Sequence, residues 1–151
     1  MRGGWARVLI VAAIVLALDQ LTKAIVRSSM TLGERRHVLA GVLDITYVHN
    51  KGVAFGALAG GGALVAALIG VGFGAVVVYY VMRARTAHLW LPVGMLLGGA
   101  AGNLLDRLRY GAVTDFIDPV AWPAFNVADS CIVLGVLGLL YVIEGAATAR
   151  K

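Results

Sequence analysis

The sequence predicts an all-α integral membrane protein with four transmembrane helices. Three observations predict it. Sixty per cent of the 151 residues are hydrophobic, and the mean hydropathy is +0.87. Only 14% are charged, against about a quarter in soluble domains. The apolar residues also gather into four runs, each near the ~20 residues that a helix needs to cross a bilayer. The length fits one membrane-embedded domain, 1–151.

The first run begins at Val8, behind Arg2 and Arg7. A charged start and an apolar stretch suggest a secretory signal peptide, but Asp19, Gln20 and Lys23 stand where small cleavage-site residues belong. Apolar residues continue to Val26, so a retained span over residues 8–26 is expected. Asp19 and Lys23 are four apart, acid first, the better order for an ion pair on one helix face. They read either as a local neutralising pair or as support for a functional site.

Residues 27–60 are too polar and broken to span. Within them HVLAGVLDITYVH (37–49) sets β-branched and aromatic residues around Gly41, a pattern for a small hairpin. HNKGVAFGAL (49–58) opens with a turn signal at Asn50 and Gly52, and its apolar face suits the bilayer interface. His37 and His49 lack the paired Cys or acidic partners of a metal site. The second span is expected over 61–82, with Tyr79 and Tyr80 at a headgroup boundary.

The third span, 89–105, takes Pro92 in its first turn, where a missing N–H matters least. Gly94, Gly98 and Gly102 recur every fourth residue and make a flat seam that admits a neighbouring backbone. The fourth span is 127–143. The lone Cys131 excludes an intrachain disulfide framework and reads as a buried thiol.

Thirteen Lys and Arg against eight Asp and Glu give a net charge of +5, which favours anionic lipid headgroups. No basic cluster interleaved with aromatics points to nucleic acid. Four spans place both termini on one side, with Arg2, Arg7, Arg83, Arg85, Arg150 and Lys151. Arg27, Arg35, Arg36, Lys51, Arg107 and Arg109 fall on the other. The terminal-side segments are shorter and denser in charge, so the positive-inside rule points to cytoplasmic termini. Residues 27–60 and 106–126 then face outward.

The stretch 98–130 holds four of the eight carboxylates: Asp106, Asp115, Asp118 and Asp129. An ionisable group at the end of a membrane helix marks a functional site by default. Asn103, Asp106 and Arg107 share a helix face, as a local polar network would. Asp118-Pro119, Trp122 and Pro123 suit a turn with an interfacial aromatic anchor, one that returns the chain so that Asp115 and Asp129 face each other. Two close, shielded carboxylates share a proton near neutral pH. One can then activate water while the other protonates a leaving amine. Ser130 lacks an evident base, and a metal held by Asp106, Asp115 and Asp129 would lack the histidine common in hydrolytic zinc sites. Acids in a membrane also mark ion pathways, so a small proton or ion transporter stands beside the peptidase reading.

These residues, in this order around four spans, resemble the lipoprotein signal peptidases, or signal peptidase II. The resemblance rests on DQLTK (19–23), NKGVAF (50–55), GNLLDR (102–107), VTDF (113–116) and FNVADS (125–130). It implies a four-helix membrane domain with a small extracytoplasmic β-cradle and an interfacial helix. It implies Asp115 and Asp129 as the catalytic dyad, with no cofactor or metal. Asn50, Asn103, Arg107 and Asn126 would line the site, with Gly52 and Ala128 in the same motifs. Asp19 and Lys23 would support it from the first helix, with Asp106 behind them. The implied activity is cleavage of diacylglyceryl-modified prolipoproteins just before the lipidated cysteine. The implied setting is the bacterial inner membrane, with the site near the extracytoplasmic face. Globomycin-type inhibitors are expected to bind, and a monomer is expected.

Overall fold

A computed structural model describes residues 2–39, 41–51, 62–83 and 86–148. Four helices, α1 (Arg2–Ser29), α2 (Gly62–Arg83), α3 (Trp90–Tyr110) and α4 (Val127–Thr148), carry a small antiparallel sheet. Its strands are β1 (Arg35–Leu39), β2 (Leu43–Asn50) and β3 (Val113–Pro119), in the order β1-β2-β3. By length and composition two helical stretches qualify as membrane spans among the described residues, Gly4–Ser29 and Val127–Gly145.

Helix α3 is the centre of the packing, touching α1, α2 and α4. Its glycines explain how. A Cβ on Gly94 would sit 2.7 Å from the Val11 Cβ, and one on Gly98 would sit 2.6 Å from the Ala12 carbonyl oxygen. One on Gly102 would lie 2.5 Å from the Asp19 carboxylate. The seam therefore faces α1, and only hydrogen side chains let the two backbones come this close. Gly99 faces the other way, where a Cβ would meet the Ala128 carbonyl oxygen of α4 at 2.6 Å. Away from the sheet, Val8, Tyr80, Leu89, Val93 and Leu97 form a buried cluster that includes Tyr80 of α2. Tyr80 packs edge-on to Trp5, ring centroids 4.7 Å apart.

The outward sides are apolar and bare. Leu9, Ile14, Leu18, Leu21 and Ile25 on α1 are exposed, as are Val133, Leu137, Leu140 and Tyr141 on α4. Faces this extensive are not left to water. Lipid is the solvent they suit.

The hairpin expected around Gly41 is present as β1 and β2, with Gly41 at φ +72° in its turn. Such a φ is nearly free for glycine and strained for most other residues. Strand β3 then adds to β2, pairing Val48 with Asp115 and Asn50 with Val113. Asn50 thus ends a strand, where the sequence suggested a turn. The interfacial helix expected over 49–58 lies, beyond Lys51, outside the described residues.

Helix α3 also runs past the expected boundary at 105. It ends at Tyr110, with Gly111 in the left-handed conformation (φ +70°) donating its N–H to the Arg107 carbonyl at 3.0 Å. That cap satisfies an orphan carbonyl and lets the chain turn at once into β3. Asp106, expected in the outer loop, is consequently a helical residue with no exposed surface.

Candidate active site

The site forms where the C-terminal ends of α1 and α3, the N-terminus of α4 and the β2–β3 edge meet. Return of the chain after β3 brings these parts together. Phe125 pairs with Ile117, accepting N–H bonds from Phe116 and Ile117 at 3.0 and 2.8 Å and donating to Ile117 at 2.9 Å. Asn126, the next residue, is thereby laid beside Asp115.

Asn126 opens α4 through a reciprocal cap. Its Oδ1 accepts the Asp129 N–H at 2.9 Å, and Asp129 Oδ2 accepts the Asn126 N–H at 3.2 Å. This has the logic of a capping box, with aspartate at the third helical position. The Asn126 side-chain amide also donates to Asp115 Oδ1 at 2.6 Å and to Asn103 Oδ1 at 3.2 Å. Asn103 in turn donates its amide to Asp129 Oδ1 at 2.7 Å. Asn50 donates to Asp115 Oδ2 at 3.0 Å. Asn126 therefore touches both carboxylates, Asp115 through its side chain and Asp129 through its main chain, while Asn50 adds to Asp115 and Asn103 to Asp129. The Ser130 hydroxyl donates to the Asn126 carbonyl at 3.1 Å, a bond back along its own helix.

Asp115 is 2% exposed and Asp129 is half-buried. Burial pushes the Asp115 carboxyl up to about 6, with the Asp129 charge adding to the rise. The Asn50 and Asn126 amides and the Lys23 charge pull the other way and do not cancel it. Burial and a like charge disfavour ionisation, whereas amide donors favour it.

Behind the pair lies a second group of acids, fully neutralised. Lys23 Nζ contacts Asp19 Oδ2 at 2.9 Å, Asp106 Oδ2 at 3.4 Å and Asn103 Oδ1 at 2.9 Å. Lys23, Asp19 and Asp106 have no exposed surface. Asp19 Oδ1 also accepts the Ala128 N–H at 3.0 Å, a negative charge on the N-terminus of α4. Ala128 itself is buried, and its carbonyl oxygen faces Gly99, where an added Cβ would not fit. Of the two readings the sequence offers for Asp19 and Lys23, a local pair or support for the site, the structure shows them paired and also joining α1 to α3 and α4.

Sequence reasoning missed three participants. Gln20 bridges Asp19 (3.1 Å), the Gly102 carbonyl (3.2 Å) and Asp106 (3.1 Å). Arg27 lies 3.6 Å from Asp106 and donates to the Thr114 hydroxyl at 3.0 Å. Thr114 also gives its main-chain N–H to Asp106 at 2.9 Å. Gln20 was visible inside the DQLTK phrase, whereas Arg27 and Thr114 become legible only once β3 docks on α1. Arg107 does not pair with Asp106. It lies within electrostatic reach of Asp129, Asp115 and Asp106, and donates to the Asn103 carbonyl at 3.4 Å. Gly52 lies outside the described residues. Asp118 is remote from the pair, bound at 2.7 Å to Arg35. His37 is likewise on the sheet, at 2.8 Å from Asp44.

Among the described residues no group of three or more His, Cys, Asp or Glu is arranged to hold a metal ion. Four carboxylates (Asp19, Asp106, Asp115, Asp129) share the site with three cations (Lys23, Arg27, Arg107). One proton makes the region neutral, and burial raises the affinity of Asp115 for a proton. An arrangement of this kind can take a proton from water at one carboxylate and deliver one from the other.

The chain is similar to known proteins over most of its length. The family model for signal peptidase (SPase) II matches residues 11–144. The lipoprotein signal peptidase of Halothermothrix orenii is 40% identical over 136 residues, covering 89% of this chain and 94% of that protein. The lipoprotein signal peptidase of Syntrophus aciditrophicus is 42% identical over 145 residues, covering 87% and 88%. A bacterial membrane enzyme solved by the in meso method at 2.3 Å resolution superposes with a TM-score of 0.87 at 30% identity, covering 95% of this chain and 91% of that one.

Proposed function

The chain belongs to the signal peptidase II family of aspartic-type peptidases, and on that premise we propose a specific reaction and a specific pair for it. The enzyme removes the signal peptide from diacylglyceryl-modified prolipoproteins, cutting just before the lipidated cysteine, with Asp115 and Asp129 as the catalytic dyad. The carrying observation is that Asn126 and Asn103 hold both carboxylates together while Asp115 keeps its proton up to about 6.

In the reaction, the ionised member of the pair takes a proton from water as its oxygen adds to the scissile carbonyl. The protonated member passes its proton to the nitrogen as the C–N bond breaks, and the two carboxyls exchange roles through the cycle. Asn50, Asn103 and Asn126 orient the acids, and Arg107 offers a cation to the oxygen that becomes negative. Asp19, Lys23 and Asp106 hold the frame. Gly52 and its neighbours contribute to substrate binding.

The setting proposed is the bacterial cell membrane. The four spans lie near 8–26, 61–82, 89–105 and 127–143, within one membrane-embedded domain 1–151. The termini are cytoplasmic, and the site is at the extracytoplasmic face. The substrate's signal helix lies among the spans with its acyl chains in hydrocarbon. The protein acts as a monomer, and globomycin-type inhibitors occupy the same site. Membership of a peptidase family leaves no observation in favour of the transporter reading.

The test is a gel-shift assay in lipid or detergent with a diacylglyceryl-modified prolipoprotein and its unmodified twin. Wild type and Asp129→Asn are run in parallel, with EDTA as a metal control. Cleavage of the lipidated form alone, indifferent to EDTA and lost in the variant, is the expected result. Equal cleavage of both forms would overturn the substrate assignment, and an active Asp129→Asn would overturn the dyad.

A further inference from the structure

The residue just before Asp115 is held by side chains from α1, α3 and the start of α4. Thr114 has no exposed surface. Its N–H is held by Asp106 of α3 at 2.9 Å, its hydroxyl by Arg27 of α1 at 3.0 Å and its carbonyl by the Asn126 amide at 3.4 Å. In the sheet it stands opposite His49 of β2. Arg27 is itself fixed, its guanidinium 4.6 Å from the centroid of the Tyr110 ring and 3.6 Å from Asp106 Oδ1. Such stacking orients a planar guanidinium and leaves its edge free to donate.

These contacts have a direct geometric consequence. Successive residues of a strand point to opposite faces. Thr114 therefore faces α1, where Arg27 grips it, and Asp115 faces Asn126 and Asn50. Holding residue 114 by its amide, carbonyl and side chain fixes the peptide planes on either side of it, and the second of these leads directly into Asp115. The amide bonds from Asn50 and Asn126 then act on a carboxylate already aimed.

We propose that Arg27 and Thr114 form a positioning clamp for Asp115, acting through the main chain of β3. Neither touches the reacting atoms, so neither is a catalytic residue. The inference rests on the reading of Asp115 and Asp129 as the dyad. Misplacing a reacting group by about 1 Å costs on the order of a hundredfold in rate. The looser strand left by losing one side-chain bond is expected to cost about tenfold.

The experiment measures kcat and KM for cleavage of the diacylglyceryl-modified prolipoprotein in lipid. It compares wild type with Thr114→Val, Thr114→Ser, Arg27→Ala and the double variant Thr114→Val/Arg27→Ala. Asp129→Asn is the control. Thr114→Val and Arg27→Ala each lower kcat about tenfold at nearly constant KM. Thr114→Ser, which keeps the hydroxyl, stays within about twofold of wild type. The double variant is no slower than the slower single variant, because Arg27→Ala already removes the bond that Thr114→Val removes. A folded Thr114→Val with wild-type kcat, or losses that multiply in the double variant, would overturn the clamp. If Thr114→Val does not accumulate in the membrane, Arg27→Ala decides alone, since Arg27 is partly open to solvent. Unchanged kcat there also overturns the clamp. An active Asp129→Asn would indict the dyad reading itself and not the clamp.

Discussion

Two groups of aspartates share one site and live under opposite electrostatic regimes. Asp19 and Asp106 sit against Lys23, with Arg27 beside Asp106, and every one of their oxygens has a partner. Asp115 and Asp129 are held by neutral amides, and among the described residues neither makes a direct ion pair with a lysine or arginine. Neutralised acids of the first kind join helices. Under-neutralised acids of the second kind retain a proton that chemistry can use. The difference lies in what faces each carboxylate, because the residue type is the same.

The comparison can be broken at either group. The largest effect is expected from Asp115→Asn or Asp129→Asn. Losing a positioned acid or base costs roughly 10²–10⁴ in rate, and each variant should still insert and fold. Single-turnover cleavage together with detergent elution profiles checks both halves of that statement.

Lys23→Met attacks the other group. It leaves two fully buried carboxylates facing each other without their shared cation. Breaking a buried pair in this way costs about 3–5 kcal/mol. Loss of folded protein, read as degradation in cells or aggregation in detergent, is the expected outcome. A normal melting temperature would show that the network does not hold the fold.

Gly102→Ala should cost less, about 1–3 kcal/mol, the usual range for overpacking. Its Cβ would press the Asp19 carboxylate from 2.5 Å, so α1 or the acid must shift. Thermal unfolding measures it directly. Gly70→Ala, where no side chain or other element among the described residues comes within 4 Å of the added carbon, should melt no lower than wild type.

The smallest effect concerns pH. The folded protein holds the Asp115 proton up to about 6, above its ordinary value near 3.8. The folded state therefore binds this proton more tightly than the unfolded chain. Between those values the group's contribution to stability falls as pH rises. At the level of rate, kcat/KM should decline on an alkaline limb as the pair loses its shared proton. The Asn50 amide favours the ionised form. Asn50→Leu should thus move that limb to higher pH, and a limb moving downward would contradict the assignment.

Much of this was legible in the chain. The glycine spacing of α3 foretold a close helix contact, though not that its partner is α1. The β-branched segment around Gly41 foretold the hairpin. FNVADS placed Asp129 at a helix start, but the reciprocal cap with Asn126 needs the bend made by Phe125 against Ile117. Other features were hidden for physical reasons. Asp19 and Lys23 satisfy a local helical rule, so the sequence offers no sign that Asp106, more than eighty residues away, completes the pair. The five residues of α3 beyond Leu105 are too polar to belong to an apolar span, and the helix continues through them to the Gly111 cap, with Asp106 bound to Lys23 and Arg27. Arg27 reads as a flanking cation until Tyr110 and Thr114 are brought beside it.

The central claim is that the two groups of acids divide fold from chemistry. The most direct measurement takes Asp129→Asn and Lys23→Met through one preparation, recording thermal unfolding and single-turnover cleavage of the lipidated prolipoprotein on the same samples. The account predicts that Asp129→Asn melts close to wild type and does not cleave, while Lys23→Met fails to yield a cooperative folded state. Wild-type cleavage by Asp129→Asn, or wild-type melting by Lys23→Met, would contradict it.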